Sequence, residues 1–121
     1  QVLLSRLESD LYKIIDRCLA GDLQTHDIVM ADNKSLITVL MSSGYPGNFR
    51  INKPITIEDD GLLFHSGTKV HDSLLLTNGG RVLGILEKGE SLQTMHKESL
   101  RRIDKILFSG KQFRKDIGQL L

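Results

Sequence analysis

The chain has 121 residues, of which 40% are apolar and 26% are charged, and its formal net charge is +1. This composition is typical of a folded globular domain and excludes a collagen-like or intrinsically disordered chain. A net charge near zero gives no general attraction to nucleic acid or anionic lipid, and no apolar run approaches the ~20 residues of a membrane-spanning helix. One cysteine cannot form an internal disulfide. We therefore expect a reducing compartment, the cytoplasm, and neither nucleic acid nor a membrane as a partner.

An amphipathic helix is predicted near the start of the chain. Its apolar face is formed by Leu7, Leu11, Ile14, Ile15, Cys18 and Leu19. Residues 5–8 fit a capping box, so the helix is predicted to begin, or to begin again after a kink, at Ser5 and to end at Gly21. Cys18 lies on the apolar face, which favours a small buried side chain over a catalytic thiol. Residues 2–4 are also apolar, and we expect the chain to be a piece of a longer protein rather than a processed mature chain.

Short β-rich runs follow between Asp22 and Gly89. They are His26–Met30, Leu36–Met41, Ile55–Ile57, Leu62–His65, Ser73–Thr77 and Arg81–Glu87. Asp-Asn at 32–33, Asp-Asp-Gly at 59–61 and His-Asp at 71–72 mark turns. The connections are too short for the crossovers that parallel strands need, so the pattern predicts an antiparallel sheet built mostly of hairpins.

A second, longer helix is predicted from an N-cap at Ser91 to about Leu107, with Gly110 ending it. Its buried face is formed by Leu92, Met95, Ser99, Ile103 and Ile106. The basic cluster of Arg101, Arg102 and Lys105 favours a solvated face over a binding patch. The acidic run at 58–60 favours a solvated turn over paired catalytic carboxylates. The order of elements predicts an α+β fold, with a mainly antiparallel sheet and a long C-terminal helix packed on it.

Three glycine-containing turns, at residues 42–47, 65–69 and 77–81, are the most informative features for function. Glycine permits close approach of the backbone to a ligand, and successive N–H groups can form an anion-binding concavity. Arg81 directly follows one glycine pair and could supply a bidentate fork to a phosphate or carboxylate. The alternative is an ordinary hairpin in which Arg81 braces the turn against a carboxylate such as Asp116. His65 and His71 lack further metal ligands in the sequence, which favours structural or surface roles.

The turns and the C-terminal segment together resemble one family. Residues 44–47 are Gly-Tyr-Pro-Gly, 64–68 are Phe-His-Ser-Gly-Thr, 77–83 are Thr-Asn-Gly-Gly-Arg-Val-Leu, and 113–118 are Phe-Arg-Lys-Asp-Ile-Gly. This series resembles the C-terminal region of the phosphoribosylamine–glycine ligases, or glycinamide ribonucleotide synthetases. Residues 1–11 resemble the helix after the family's Arg-Phe-Gly-Asp-Pro-Glu signature, of which Gln1 would be the last position. Ser66 departs from the family's usual Ala, and Phe113 from its usual Tyr.

The resemblance implies an ATP-grasp ligase of purine biosynthesis, in which ATP phosphorylates glycine and the amine of 5-phosphoribosylamine attacks the glycyl phosphate. It implies that residues 1–20 are the C-terminal end of the ATP-grasp domain and residues 21–121 the C-terminal domain. ATP and Mg²⁺ or Mn²⁺ would serve the full-length enzyme, whose ligands for them precede Gln1. No catalytic or metal-binding residue is therefore expected in this chain, which alone is expected to bind no cofactor and to be inactive. Its expected partners are glycine, 5-phosphoribosylamine and the rest of the ligase.

The resemblance also implies that the C-terminal domain forms one wall of the substrate cleft. The candidate substrate-binding residues are Asn78, Gly79, Gly80 and Arg81, together with Gly67, Thr68 and Arg114. For Thr68 and Arg114, bracing of the domain interface is an equal alternative. Two other functions remain open: the C-terminal domain of a related ATP-grasp ligase or carboxylase, and a non-catalytic ligand-binding module.

Overall fold

The structure, a computed structural model, describes residues 1–119 and contains two α-helices and eight β-strands in that range. In chain order the elements are α1 (Leu11–Ala20), β1 (Lys34–Ser42), β2 (Thr56–Ile57), β3 (Leu63–His65), β4 (Thr68–His71), β5 (Leu74–Thr77), β6 (Arg81–Gly89), α2 (Leu92–Asp104), β7 (Ile106–Leu107) and β8 (Lys111–Gln112). This is the α+β arrangement that the sequence predicts.

A four-stranded antiparallel sheet in the order β3-β6-β1-β8 is the centre of the fold. The long strands β1 and β6 pair from Lys34 opposite Gly89 to Leu40 opposite Leu83. Two smaller antiparallel pairs are formed by β2 with β7 and by β4 with β5. Of the six predicted strands, all but His26–Met30 overlap one of these elements, whereas β4, β7 and β8 are not predicted.

The core lies between one face of the sheet and α2. Alternate residues of β1 are buried, as expected for a strand with one covered face. The main cluster contains Leu40, Val82, Leu83, Ile85, Ile103 and Ile106, all fully buried. Each such side chain contributes roughly 1.5–3 kcal/mol relative to an exposed position. On α2, burial of Met95, Ser99 and Ile103 confirms the predicted face.

The first helix differs from its prediction in both its start and its environment. It begins at Leu11, because the Asp10 carboxylate accepts hydrogen bonds from the N–H groups of Tyr12 and Lys13, whereas Ser5 lies in a short 3-10 turn. Gly21 ends it at φ +75°, as predicted. No residue of α1 is buried, and Cys18 is exposed. The prediction of a buried Cys18 is therefore wrong, because residues 1–119 cover the apolar face of α1 only in part, at Ile14.

The run predicted as a strand at His26–Met30 is instead a 3-10 turn at Thr25–Asp27 followed by one bridge, between Leu7 and Met30. The turn forms because the Asp27 carboxylate accepts the Gln24 N–H at 2.9 Å. This local hydrogen bond gives the Gln24 N–H a partner that, in a strand, would have to come from a neighbouring strand. That bond, with further help from Arg17, holds the pKa of Asp27 below its ordinary value.

The long helix ends earlier than predicted, at Asp104 rather than near Leu107. The Lys111 ammonium donates to the carbonyl oxygens of Ile103, at 2.6 Å, and Ile106, at 2.5 Å. The bond to Ile103, in the last turn of α2, places a cation at the helix C-terminus. Burial lowers the pKa of Lys111. Gly110, at φ +75°, forms the turn between β7 and β8 and does not end the helix.

Arg102 overturns the prediction that the basic cluster on α2 is solvated. Its guanidinium donates to both carboxylate oxygens of Asp59, at 3.0 and 2.7 Å, and to Glu87 at 2.6 Å. It also donates to the carbonyl oxygens of Leu86 and Leu62. The side chains of Arg102 and Asp59 are 7% and 1% exposed. The acidic run is thus not a solvated turn at Asp59, since that carboxylate is the buried partner of the helix.

Candidate functional site

The glycine turns at residues 65–69 and 77–81 lie directly against each other. The Asn78 N–H donates to the carbonyl oxygen of Gly67 at 2.8 Å. A Cβ on Gly67 would lie 2.7 Å from the Gly79 Cα and 2.5 Å from the Arg81 carbonyl oxygen. Only glycine fits at such a distance between two backbones. The two turns therefore form one rigid unit at an end of the sheet.

The third glycine turn, at residues 42–47, joins this unit through Ser42 and Tyr45. The Ser42 N–H donates to the Gly80 carbonyl oxygen at 2.8 Å, and its hydroxyl donates to the Gly79 carbonyl oxygen at 2.9 Å. The Tyr45 ring covers Gly80 so closely that a Cβ there would lie 2.0 Å from Cδ2. All three turns thus meet. We call them together the glycine-turn cluster, residues 42–47, 65–69 and 77–81.

Arg81 opens β6 within this cluster and is exposed. Met41 lies opposite Arg81, whereas Leu40 lies opposite Leu83, so Val82 is an extra residue in β6. Such a β-bulge changes the direction of the side chains beside it. Asp116, the carboxylate that could have braced Arg81, is bound to Arg114 instead. Within residues 1–119, Arg81 forms no ion pair and no side-chain hydrogen bond.

Arg114 and Thr68 both have protein partners. Arg114 donates to the two carboxylate oxygens of Asp116 at 3.0 and 2.5 Å, which raises the pKa of Arg114 and lowers that of Asp116. The Thr68 hydroxyl lies 2.9 Å from His65 Nδ1. Arg114 also lines a small apolar groove with Met41, the residue opposite Arg81. Met41 is therefore a neighbour of both arginines named by the sequence, as the strand partner of Arg81 and as part of the groove that Arg114 lines.

Beside the glycine-turn cluster is a cleft of about 390 Å³ that sequence reasoning missed. Its polar lining includes Ser43, Asn48, Arg50, Lys53 and Ser109, with no carboxylate. The basic residues follow the Gly-Tyr-Pro-Gly turn directly, but a lone arginine and lysine in a loop carry little sequence signal. Their shared position in the cleft is visible only in the structure, where the chain after the turn folds back along β5.

Neither a metal site nor a membrane span is found within the described range. Among residues 1–119, no group of three His, Cys, Asp or Glu side chains is placed to hold a metal ion. In the same range, neither helix is long and apolar enough to cross a bilayer. The backbone amides, hydroxyls and guanidinium groups at the glycine-turn cluster are groups that can bind an anionic ligand.

Comparison with known proteins gives consistent matches. A family model described as the phosphoribosylglycinamide synthetase C domain matches residues 35–120. The bifunctional purine biosynthetic protein purD of Dictyostelium discoideum is 38% identical over 98% of the chain, and the phosphoribosylamine–glycine ligase of Halalkalibacterium halodurans is 37% identical over 98%. The chain spans only 16% and 28% of those two proteins.

A solved structure shares the fold as well. The crystal structure of phosphoribosylamine–glycine ligase from Thermotoga maritima superimposes with a TM-score of 0.76 and 28% identity, over 87% of this chain and 26% of that one. The matched family model covers the sheet from the second residue of β1 onward, α2 and the glycine-turn cluster. The chain therefore belongs to the phosphoribosylglycinamide synthetase family and carries its C domain.

Proposed function

We propose that this chain is the C-terminal part of an ATP-dependent carbon–nitrogen ligase that joins glycine to 5-phosphoribosylamine. The products are glycinamide ribonucleotide, ADP and phosphate, in purine biosynthesis in the cytoplasm. Relatives named phosphoribosylamine–glycine ligase support this proposal, and the chain spans 28 and 29% of two of them. The activity is accordingly proposed for a complete ligase that contains this chain.

The reaction needs two steps. ATP transfers its terminal phosphoryl group to the glycine carboxylate, giving ADP and an acyl phosphate, and the amine of 5-phosphoribosylamine then attacks the acyl carbon and expels phosphate. The acyl phosphate must be kept from water, and the reactants must be held in line. We assign ATP and its Mg²⁺ or Mn²⁺ to parts of the ligase outside this chain. The chain by itself would bind no cofactor.

In this proposal the glycine-turn cluster forms one wall of the substrate cleft. The observation that carries it is Arg81, which is exposed and has no carboxylate partner in residues 1–119. It lies beside two turns whose backbones are so close that only glycine fits between them. The substrate-contacting residues would be Asn78, Gly79, Gly80 and Arg81. Gly67 would hold the turn in place, and Thr68 and Arg114, which are already bonded to His65 and Asp116, would brace it.

Residues 1–20 would belong to the ATP-grasp domain, and residues 21–121 would form the C-terminal domain. The exposed apolar face of α1 supports this division. Leu11, Ile15 and Leu19 are 43%, 51% and 84% exposed, although a helix of this amphipathic pattern normally packs that face. The rest of the ligase would cover it.

The test is the Arg81→Ala variant of a complete ligase that contains this chain. Loss of a charge-assisted hydrogen bond to substrate costs about 1.5–3 kcal/mol, or roughly 10- to 150-fold. We expect KM for glycine or 5-phosphoribosylamine to rise by that factor while KM for ATP stays unchanged. Arg81→Lys should recover only part of the loss, because an ammonium lacks the planar fork. A lower melting temperature with no selective change in any KM would assign Arg81 a structural role instead.

A further inference from the structure

The arginines of this chain divide into two groups. The sequence has seven. Five of them, Arg6, Arg17, Arg101, Arg102 and Arg114, have side-chain bonds to carbonyl or carboxylate oxygens. Within residues 1–119, the two that have none are Arg50 and Arg81, and both lie at the glycine-turn cluster. Arg81 belongs to the proposed substrate wall, whereas no role has been assigned to Arg50.

Arg50 lines the 390 Å³ cleft together with Lys53, the hydroxyls of Ser43 and Ser109, and the amide of Asn48. The cleft thus offers two cations and several neutral donors, and no carboxylate competes for them. Its volume falls within the range of small-molecule sites, about 300–1,000 Å³, and is generous for an amino acid as small as glycine. A doubly charged oxyanion on a larger molecule matches this lining best.

Both walls of the cleft are fixed by backbone bonds. On one side, the backbone of Lys53 is bound to the fully buried Thr77. The Lys53 N–H donates to the Thr77 hydroxyl at 3.0 Å, and the Thr77 N–H donates to the Lys53 carbonyl oxygen at 2.9 Å. On the other, the Ser43 N–H donates to the Gly110 carbonyl oxygen at 2.8 Å. When the walls of a site are already ordered, binding costs less conformational entropy.

The cleft also adjoins the proposed substrate wall. Ser42 is part of its lining and carries the two hydrogen bonds to Gly79 and Gly80, the residues directly before Arg81. The cleft is therefore joined directly to the turn that precedes Arg81.

We propose that the cleft between the Gly44–Asn48 turn and Ser109 binds the phosphate monoester of a sugar phosphate, with Arg50 and Lys53 as its cationic ligands. The inference rests on the proposed function, in which the sugar phosphate is the phosphoribosyl substrate. A phosphate monoester carries about −1.5 to −2 charges near neutral pH, which two cations balance. The guanidinium of Arg50 can bind two of its oxygens side by side, and Lys53 supplies a point charge.

The first experiment measures binding to the 121-residue chain by amide chemical shifts, with ribose 5-phosphate as the probe and ribose as the control without phosphate. Ribose 5-phosphate should shift the signals of Ser43, Gly44 and Asn48 and saturate, whereas ribose should not. Arg50→Ala and Lys53→Ala should each raise the dissociation constant about 10-fold or more. Arg101→Ala, which removes an exposed arginine from α2, should leave it unchanged. Equal binding of ribose, or shifts confined to residues 78–81, would overturn the inference.

The second experiment uses a complete ligase that contains this chain. Arg50→Ala and Lys53→Ala should raise KM for 5-phosphoribosylamine about 10- to 150-fold and leave KM for glycine and for ATP unchanged. If the parent enzyme makes glycinamide ribonucleotide and both variants keep their KM for 5-phosphoribosylamine, this inference alone fails. If the parent makes none while the chain still binds ribose 5-phosphate through Arg50, the proposed function fails and the phosphate site stands.

Discussion

Two adjacent arginines on α2 allow a sharp test of how the fold is held together. Arg102 is 7% exposed and is bound to Asp59 and Glu87, which are 1% and 11% exposed, as well as to two backbone carbonyls. Arg101 is 59% exposed and pairs with Glu98, which is 39% exposed. Arg102→Ala and Arg101→Ala remove the same side chain from the same helix. Any difference between them therefore measures the effect of burial.

The expected magnitudes follow from what each substitution leaves behind. Arg102→Ala leaves two buried carboxylates without a counter-charge, and removal of one partner from a buried ion pair costs about 3–5 kcal/mol. That is a large part of the roughly 5–15 kcal/mol by which folded domains are stable. Arg101→Ala frees a carboxylate that water can solvate, so we expect no measurable loss.

The assay is urea unfolding of the 121-residue chain followed by circular dichroism, with the slope of each transition used to confirm two-state behaviour. If Arg102→Ala does not fold, Arg102→Lys, which keeps the charge but loses the fork, should give an intermediate midpoint. Asp59→Asn placed in the Arg102→Ala background should recover part of the loss, because it removes one of the stranded charges. Equal midpoints for Arg102→Ala and Arg101→Ala would refute the structural role of this network.

The remaining predictions concern acid stability, a glycine contact and the isolated chain. Hydrogen bonding to Arg102 lowers the pKa of Asp59 below its ordinary value of 3.8. The ionised Asp59 therefore stabilises the fold above that pH, and this contribution is lost as the pH falls below about 4. Asp59→Asn should reduce the loss of unfolding free energy between pH 5 and pH 2, and an unchanged pH profile would contradict the assignment. Gly67→Ala, whose Cβ would meet two backbones, should cost about 1–3 kcal/mol in a thermal melt, whereas Gly89→Ala, with ordinary contacts, should be tolerated; equal melting temperatures would argue against the close packing of the turns. The 121-residue chain alone should form no glycinamide ribonucleotide from ATP, glycine and 5-phosphoribosylamine, and any turnover by pure material would overturn the assignment of catalysis to other parts of the ligase. The exposed apolar face of α1 should make the same chain self-associate and bind a hydrophobic dye, and strictly monomeric light scattering without dye binding would contradict that expectation.

Local patterns in the sequence were sufficient for much of this fold. The apolar run at residues 36–41 predicted strand β1, and the helical spacing of Met95, Ser99 and Ile103 predicted which side of α2 would be buried, because each pattern depends only on the geometry of its own element. The caps at Ser91 and Gly21 were predictable for the same reason. The glycine turns were identified as candidates through their residue types and order.

Tertiary contacts decided the rest. Nothing local distinguishes Arg102 from Arg101, since the buried position depends on Asp59, 43 residues away. The apolar stripe of α1 predicted a buried face, yet in the structure most of that face is exposed. Burial also needs a partner element, and residues 1–119 cover only part of the stripe. The meeting of three glycine turns and the cleft at Arg50 and Lys53 likewise arise from sheet pairing between distant segments. A sequence states which side chains can bind an anion, but only the folded chain determines which of them are left free to do so.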